Sequence, residues 1–232
     1  MIALRPGTAR GTTLAHGVRS RHAFSFGDYF EPAHMGFGAL RVLNEIGLGA
    51  GATLECERRA NVEILSWVAE GRVRRTCGAT ECVIEAGDLH HLGAGRGIDE
   101  GLANDSTQAS ARLLQFWFTP ARVNAEPVCA HHRTATANDA GLVLIASADG
   151  RDGSLAVRAP VEIRRARLAA GSIAVQSCCL GQRLWMQVVD GDVDVNGVRA
   201  VAGDAAVALN ECRIELAARV ASEVLLVALP SG

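Results

Sequence analysis

Glu57 and Arg59 stand one residue apart in the stretch Gly51-Ala52-Thr53-Leu54-Glu55-Cys56-Glu57-Arg58-Arg59. Metal-binding β-barrels carry two histidines at this spacing, with five residues between the first of them and a preceding glycine. Alternate residues of a strand point the same way, so such a pair aims both side chains into the barrel. Here a carboxylate and a guanidinium take the two places. The frame is that of a small internal site whose chemistry is ion pairing and hydrogen bonding rather than coordination by imidazole.

The thiols offer a second chemistry. Cys56 sits between Glu55 and Glu57 with Arg58 and Arg59 close by, and positive charge favours a reactive thiolate. It is the redox candidate of the chain. Cys77 and Cys82 bracket Gly78-Ala79-Thr80-Glu81, a hairpin tip, where cross-strand cysteines fall within disulfide reach. Cys178 and Cys179 are neighbours, so one of them faces the interior of its strand's sheet. The remaining cysteines are expected to act as small hydrophobes. Seven cysteines, an odd number, argue against a complete disulfide framework.

Among the histidines, His90 and His91 are adjacent and so face opposite sides of a strand, one on the barrel wall and one outside. His131 and His132 fall in a polar stretch and are expected to be solvated. None of these pairs has the spacing of a zinc finger or a metalloprotease helix. No phosphate loop, nucleophile elbow or DNA-binding motif is visible.

The elements that carry these residues are short strands. Val, Ile and Leu recur in runs of four to six, broken by glycine, and helical periodicity is scarce. Gly51, Gly71 and Gly87 each have a counterpart in the second half. Gly171 and Gly191 follow at 120 positions, and Gly203 at 116, so the second copy has one hairpin shorter by four residues. Three ordered matches indicate a duplication, and each copy suits a small antiparallel barrel or jelly roll. The expected division is residues 1–120, a linker 121–140 containing Pro127 and His131-His132, and residues 141–232.

The net charge of −2 gives no electrostatic reason to bind nucleic acid or a membrane. All 23 basic residues are arginine. No apolar run is long enough to cross a bilayer and no signal peptide opens the chain, which reads as cytoplasmic.

The segment Arg21-His22-Ala23-Phe24-Ser25-Phe26-Gly27-Asp28-Tyr29-Phe30, continuing through Glu31-Pro32-Ala33-His34-Met35-Gly36-Phe37-Gly38, resembles the signature of the pirin family. So do the glycine frame of the first half and Gly93-Ala94-Gly95-Arg96-Gly97-Ile98. The resemblance implies an all-β bicupin, two tandem antiparallel barrels packed together. It also implies an N-terminal metal site of three histidines and one glutamate in the metal-bearing members, some of which cleave flavonols such as quercetin with molecular oxygen. This chain departs at all four ligand positions, which hold Glu57, Arg59, Glu100 and Leu102. At the places 120 beyond the first two stand Ser177 and Cys179.

These substitutions imply the branch of the family without metal ligands, with Arg59 paired to Glu57, Glu100 or both. Loss of Arg59 is then expected to uncover buried carboxylates at a cost of roughly 3–5 kcal/mol. His22 and His34, inside the family motif, read as packing or turn residues. The functional expectation is a non-enzymatic monomer that binds a small molecule in its degenerate site, regulatory or redox-responsive, without cofactor. The alternative is a quercetin 2,3-dioxygenase-like oxygenase using iron or another divalent metal through unusual ligands.

Overall fold

The computed structural model describes residues 2–133 and 141–230. Its chain forms two compact units, each built from a seven-stranded and a four-stranded sheet. The all-β, two-barrel architecture expected from the glycine frame is what is found.

In the first unit the larger sheet runs, in spatial order, Val128–Arg133, Asp88–Gly93, Glu63–Glu70, Ala111–Phe118, Leu40–Leu48, Val18–His22 and Gly11–Ala15. The smaller sheet runs Thr53–Arg59, Ile98–Asn104, Arg72–Cys77 and Thr80–Glu85. All pairings in this unit are antiparallel. The second unit repeats the plan. Its larger sheet is ordered Ile2–Arg5, Ala205–Leu209, Arg183–Asp190, Ser222–Leu229, Glu162–Leu168, Gly141–Ser147 and Leu155–Ala156. Its smaller sheet is Ile173–Ser177, Arg213–Ala218, Asp192–Val195 and Val198–Val201.

The duplication is visible in backbone angles. Gly51 and Gly171 have φ of 67° and 76°, Gly71 and Gly191 of 75° and 94°, and Gly87 and Gly203 of 88° and 91°. Each pair turns the chain at the same place in each copy, in the left-handed region that glycine alone enters without cost. The missing four residues also have a location. Arg72–Cys77 and Thr80–Glu85 are six residues each, whereas Asp192–Val195 and Val198–Val201 are four each.

The unit limits differ from those expected at residues 120 and 140. The stretch taken for a linker contains the strand Val128–Arg133, which completes the edge of the first unit's large sheet by pairing with Asp88–Gly93. A further segment, Val157–Ala159, belongs to the first unit although it lies deep in the second half of the sequence. Val157 and Ala159 are buried there. The Arg158 amide donates to Glu63 Oε2 at 3.3 Å, and the Ala121 amide donates to the Arg158 carbonyl at 2.8 Å. Conversely, Ile2–Arg5 belongs to the second unit, where it pairs with Ala205–Leu209. Residues 134–140, the remainder of the expected linker, lie outside the described residues.

Candidate functional site

A row of polar side chains crosses the inner face of the first unit's large sheet. Cross-strand partners share a face, and the register places His131 opposite His90, His90 opposite Ser66, Ser66 opposite Gln115, Gln115 opposite Asn44 and Asn44 opposite His22. Five of these six are buried, all but His131. The row is flanked by apolar residues two positions away on the same strands: Val68 and Ile64 beside Ser66, Leu113 and Trp117 beside Gln115. One apolar cluster gathers Val18, Ile46, Leu48, Val68, Val73, Ile84, Leu102, Ala111 and Leu113, and a smaller one gathers Ile64, Cys77 and Leu92. The polar row separates them.

A buried polar group is costly unless it is hydrogen-bonded, and most of this row is bonded. His22 Nδ1 lies 2.8 Å from Asn44 Oδ1, and its Nε2 lies 2.9 Å from Thr13 Oγ1. Gln115 Nε2 donates at 3.3 Å to both Ser66 Oγ and Glu100 Oε1, and Trp117 Nε1 donates at 3.3 Å to Gln115 Oε1. His90 is different: its Nδ1 has no hydrogen-bond partner among the described residues. Burial first, then the positive charge of Arg75 and the neighbouring His91 and His131, push its pKa down to about 2. His90 is therefore a neutral imidazole at physiological pH.

The small sheet brings the ionic residues against this row. Glu57 stands opposite Glu100 across one strand boundary, and Glu100 stands opposite Cys77 across the next. Arg59 bridges the two carboxylates: Nη1 donates to Glu57 Oε2 at 2.5 Å, and Nε donates to Glu100 Oε2 at 3.2 Å. Its guanidinium also lies 4.7 Å from the centroid of the Trp117 ring, within cation–π range. The second oxygen of Glu100 accepts from Arg75 Nη2, while Arg75 Nη1 donates to Ser66 Oγ. Glu100 thus sits between two guanidinium groups.

Exposure grades inward. Side-chain accessibility falls from 59% at Glu57 to 23% at Arg59, 4% at Glu100 and 0% at Arg75. Leu102 is buried among apolar neighbours and stands opposite Arg75. A cavity of about 50 Å³ touches Glu57, Arg59, Glu100, Leu102 and Gln115. An adjoining groove of about 520 Å³ shares Leu54, Glu55 and Glu57 with it and reaches Thr13, His16 and Ser20.

Sequence reading found Glu57, Arg59, Glu100 and Leu102 and missed Arg75, Ser66, Gln115 and Trp117. Arg75 carried a signal. Val73, Arg75 and Cys77 occupy alternate positions of one strand, and all three are buried. An arginine in phase with flanking apolar residues is aimed at the core.

The other residues singled out in the sequence lie partly where expected and partly elsewhere. Cys56 is exposed and lies on the strand face opposite Glu57, beside Arg58, which is 3.4 Å from Asp99. The Cys77/Cys82 hairpin turns between Cys77 and Thr80, so Cys82 stands opposite Arg75 rather than Cys77. His91 does face away from the barrel interior, but it is buried, with Nε2 2.6 Å from Glu63 Oε2. His131 is on a strand rather than in a linker but is exposed, with Nε2 3.0 Å from Asp88 Oδ2, and His132 is half-buried. Cys178 is half-buried against the second barrel's core and Cys179 is exposed in a turn.

A family model described as pirin matches residues 4–118, and one described as a quercetinase C-terminal cupin domain matches residues 144–229. A protein of Escherichia coli K12 called quercetin 2,3-dioxygenase is 36% identical over 232 residues, covering 99% of each chain. This chain belongs to the pirin family. A putative quercetin 2,3-dioxygenase of Pseudomonas aeruginosa is 32% identical, covering 98% of this chain and 99% of its own. The crystal structure of YhhW from Escherichia coli superposes with a TM-score of 0.95 at 34% identity, over 100% of this chain and 99% of that one. The structure described as bacterial pirin YhhW in complex with nickel(II) gives 0.95 at 35% identity, covering all of both chains.

Within this pirin the two cupin barrels are filled differently. The second barrel's core is a single apolar cluster of Ala, Leu, Val, Ile and Met. Register relates Ser66 to Met186, His90 to Ala206 and Gln115 to Leu226, since each set pairs across the same three strands. In the small sheets Arg75 corresponds to Val195, which stands opposite Leu216 as Arg75 stands opposite Leu102; two residues before these, Ile214 corresponds to Glu100. One pirin chain therefore closes the same barrel twice, with a buried Arg75–Glu100 pair in the first and Val195 and Ile214 at the matching places of the second.

Proposed function

We propose that the N-terminal barrel of this pirin is a small-molecule-binding, regulatory site that works without a resident metal. The observation that carries this is the pairing of Glu100 with both Arg75 and Arg59. A hard cation needs several free oxygen ligands, and a borderline ion prefers imidazole or thiolate. Of the four family ligand positions, one holds an arginine, one a leucine, and the two carboxylates are engaged by guanidinium groups. An ion entering there would face Arg59, and a like charge at ~4 Å opposes it by roughly 4 kcal/mol at an effective dielectric near 20. The residues do not fit the group. The groove beside Glu57 supplies a concave surface with carboxylates, hydroxyls and apolar walls, and Arg59 lines the small cavity that adjoins it, the composition of a small-ligand site.

A second reading, a quercetin 2,3-dioxygenase-like enzyme using a metal, is favoured by the names of the relatives and by the nickel(II) complex of a pirin that matches over the whole of both chains. One experiment separates the two. The purified protein is incubated with iron, manganese, nickel, copper and zinc salts, freed of loose ions, and its metal content measured. The ligand-binding reading expects well under one ion per chain and no oxygen uptake with quercetin. Near-stoichiometric metal with quercetin-dependent oxygen uptake would sink it.

A further inference from the structure

Three of the seven cysteines collect at the side of the first barrel away from Glu57. Cys77 ends one strand of the small sheet, Cys82 lies on that sheet's edge strand, and Cys129 lies on the edge strand of the large sheet. Cys129 shares the inward face with His131, because the two are alternate residues of one strand. Cys129 stands opposite Leu92, and Leu92 packs with Cys77 in one cluster, so the two cysteines approach each other across the gap between the two sheets. Arg75 lies two residues before Cys77 on the same buried face of its strand, which sets a guanidinium beside the thiol. Cys77 is buried and Cys129 is exposed, so the pair joins the barrel interior to solvent.

We propose that Cys77 and Cys129 are a peroxide-oxidisable dithiol, with Cys77 the attacking sulfur and Cys129 the resolving one. The assignment of roles follows from surroundings. Hydrogen bonding from Cys129 and the positive charge of Arg75 bring the Cys77 pKa down to about 7, while the same contact and burial push Cys129 upward. Cys82 is pushed upward by burial, which keeps it a thiol. The Cys77 thiolate attacks one oxygen of hydrogen peroxide, breaking the O–O bond and giving a sulfenic acid and hydroxide, which takes up a proton to become water. Cys129, giving up its thiol proton, then attacks the Cys77 sulfur. Hydroxide leaves as a second water, and the S–S bond closes. Two thiols and one peroxide become one disulfide and two waters. The link would tie the two sheets together one strand position from Glu100, since Glu100 and Cys77 are cross-strand partners.

The inference stands independently of which ligand the barrel binds. The test treats the full chain with hydrogen peroxide, alkylates the remaining thiols and maps the peptides by mass spectrometry. Expected is a loss of two titratable thiols of the seven, a linked peptide joining Cys77 to Cys129 within one chain, and full recovery with dithiothreitol. Cys129→Ser should instead trap a dimedone-reactive sulfenic acid at Cys77, and Cys77→Ser should leave Cys129 reduced at the same dose. The wild-type map decides alone if either variant misfolds. Cys77 and Cys129 remaining fully alkylatable while Cys56, Cys179 or Cys212 oxidises, or a disulfide formed only between chains, would overturn the proposal.

Discussion

Glu100 is the residue on which the first barrel's ionic arrangement turns, and Arg75 is its deeper partner. Arg59 meets both Glu57 and Glu100, but its loss would not leave Glu100 uncompensated, because Arg75 holds the same carboxylate from deeper in the barrel. Arg59 is partly exposed and pairs with a largely exposed Glu57, while Arg75 and Glu100 are both buried. Arg75→Ala should therefore cost about 3–5 kcal/mol in urea unfolding, because it leaves a buried carboxylate short of its counter-charge. Arg59→Ala should cost only about 1–2 kcal/mol, since Arg75 and Gln115 still hold Glu100 and only the exposed half of the network is lost. Equal costs for the two variants would refute this ordering.

His90 adds a dependence on pH. Its pKa is lowered when folded, so below about pH 6.5 the unfolded chain binds a proton that the folded chain does not. Stability contributed by neutral His90 is complete above that value and is lost as pH falls toward the folded pKa of about 2, at up to ~1.4 kcal/mol per unit. His90→Gln should flatten the stability profile between pH 6 and 4. An unchanged slope would place the acid sensitivity elsewhere. At this scale the sequence was half legible. A His-x-His frame points to Glu57 and Arg59 because spacing survives substitution. Arg75 stayed hidden because charge in a strand is read as solvated, and only the burial of Val73 and Cys77 beside it says otherwise.

The strands and turns were the most readable level. Glycine at matched offsets marked the turns because positive φ leaves few alternatives, and a four-residue deficit marked the shortened hairpin. The edge strand Val128–Arg133 escaped notice because its alternation is weak: Cys129 and His131 face inward without an apolar run to announce them. Gly71 combines a φ of 75° with a position where a Cβ would meet the Ser110 carbonyl at 2.8 Å and Ala111 at 3.0 Å. Gly71→Ala should destabilise the first unit by about 1–3 kcal/mol. A thermal melt within error of wild type would show that the turn relaxes freely.

Across the whole molecule, two barrels of one plan offer an internal control. The second shows that the fold closes with Val195 and Ile214 where the first has Arg75 and Glu100. Exchanging the ionic pair for apolar residues of similar volume, Arg75→Met with Glu100→Leu, should leave stability within about 2 kcal/mol of wild type, far better than Arg75→Ala alone. Circular dichroism and urea titration would check the fold. A collapse of the double variant would mean that the charges are needed for closure and were not kept for a ligand.

The exchange of segments between the two units has a consequence for how the chain comes into being. Ile2–Arg5 is synthesised long before its pairing partner Ala205–Leu209. The first unit, for its part, receives Val157–Ala159 only after the chain has passed well beyond its midpoint. The first barrel cannot be finished when the sequence of its own half has emerged, and Ile2–Arg5 has no partner until the second half is made. The nascent protein must carry one unpaired strand until Ala205–Leu209 has been made, and one unfilled seat beside Glu63 until Val157–Ala159 has.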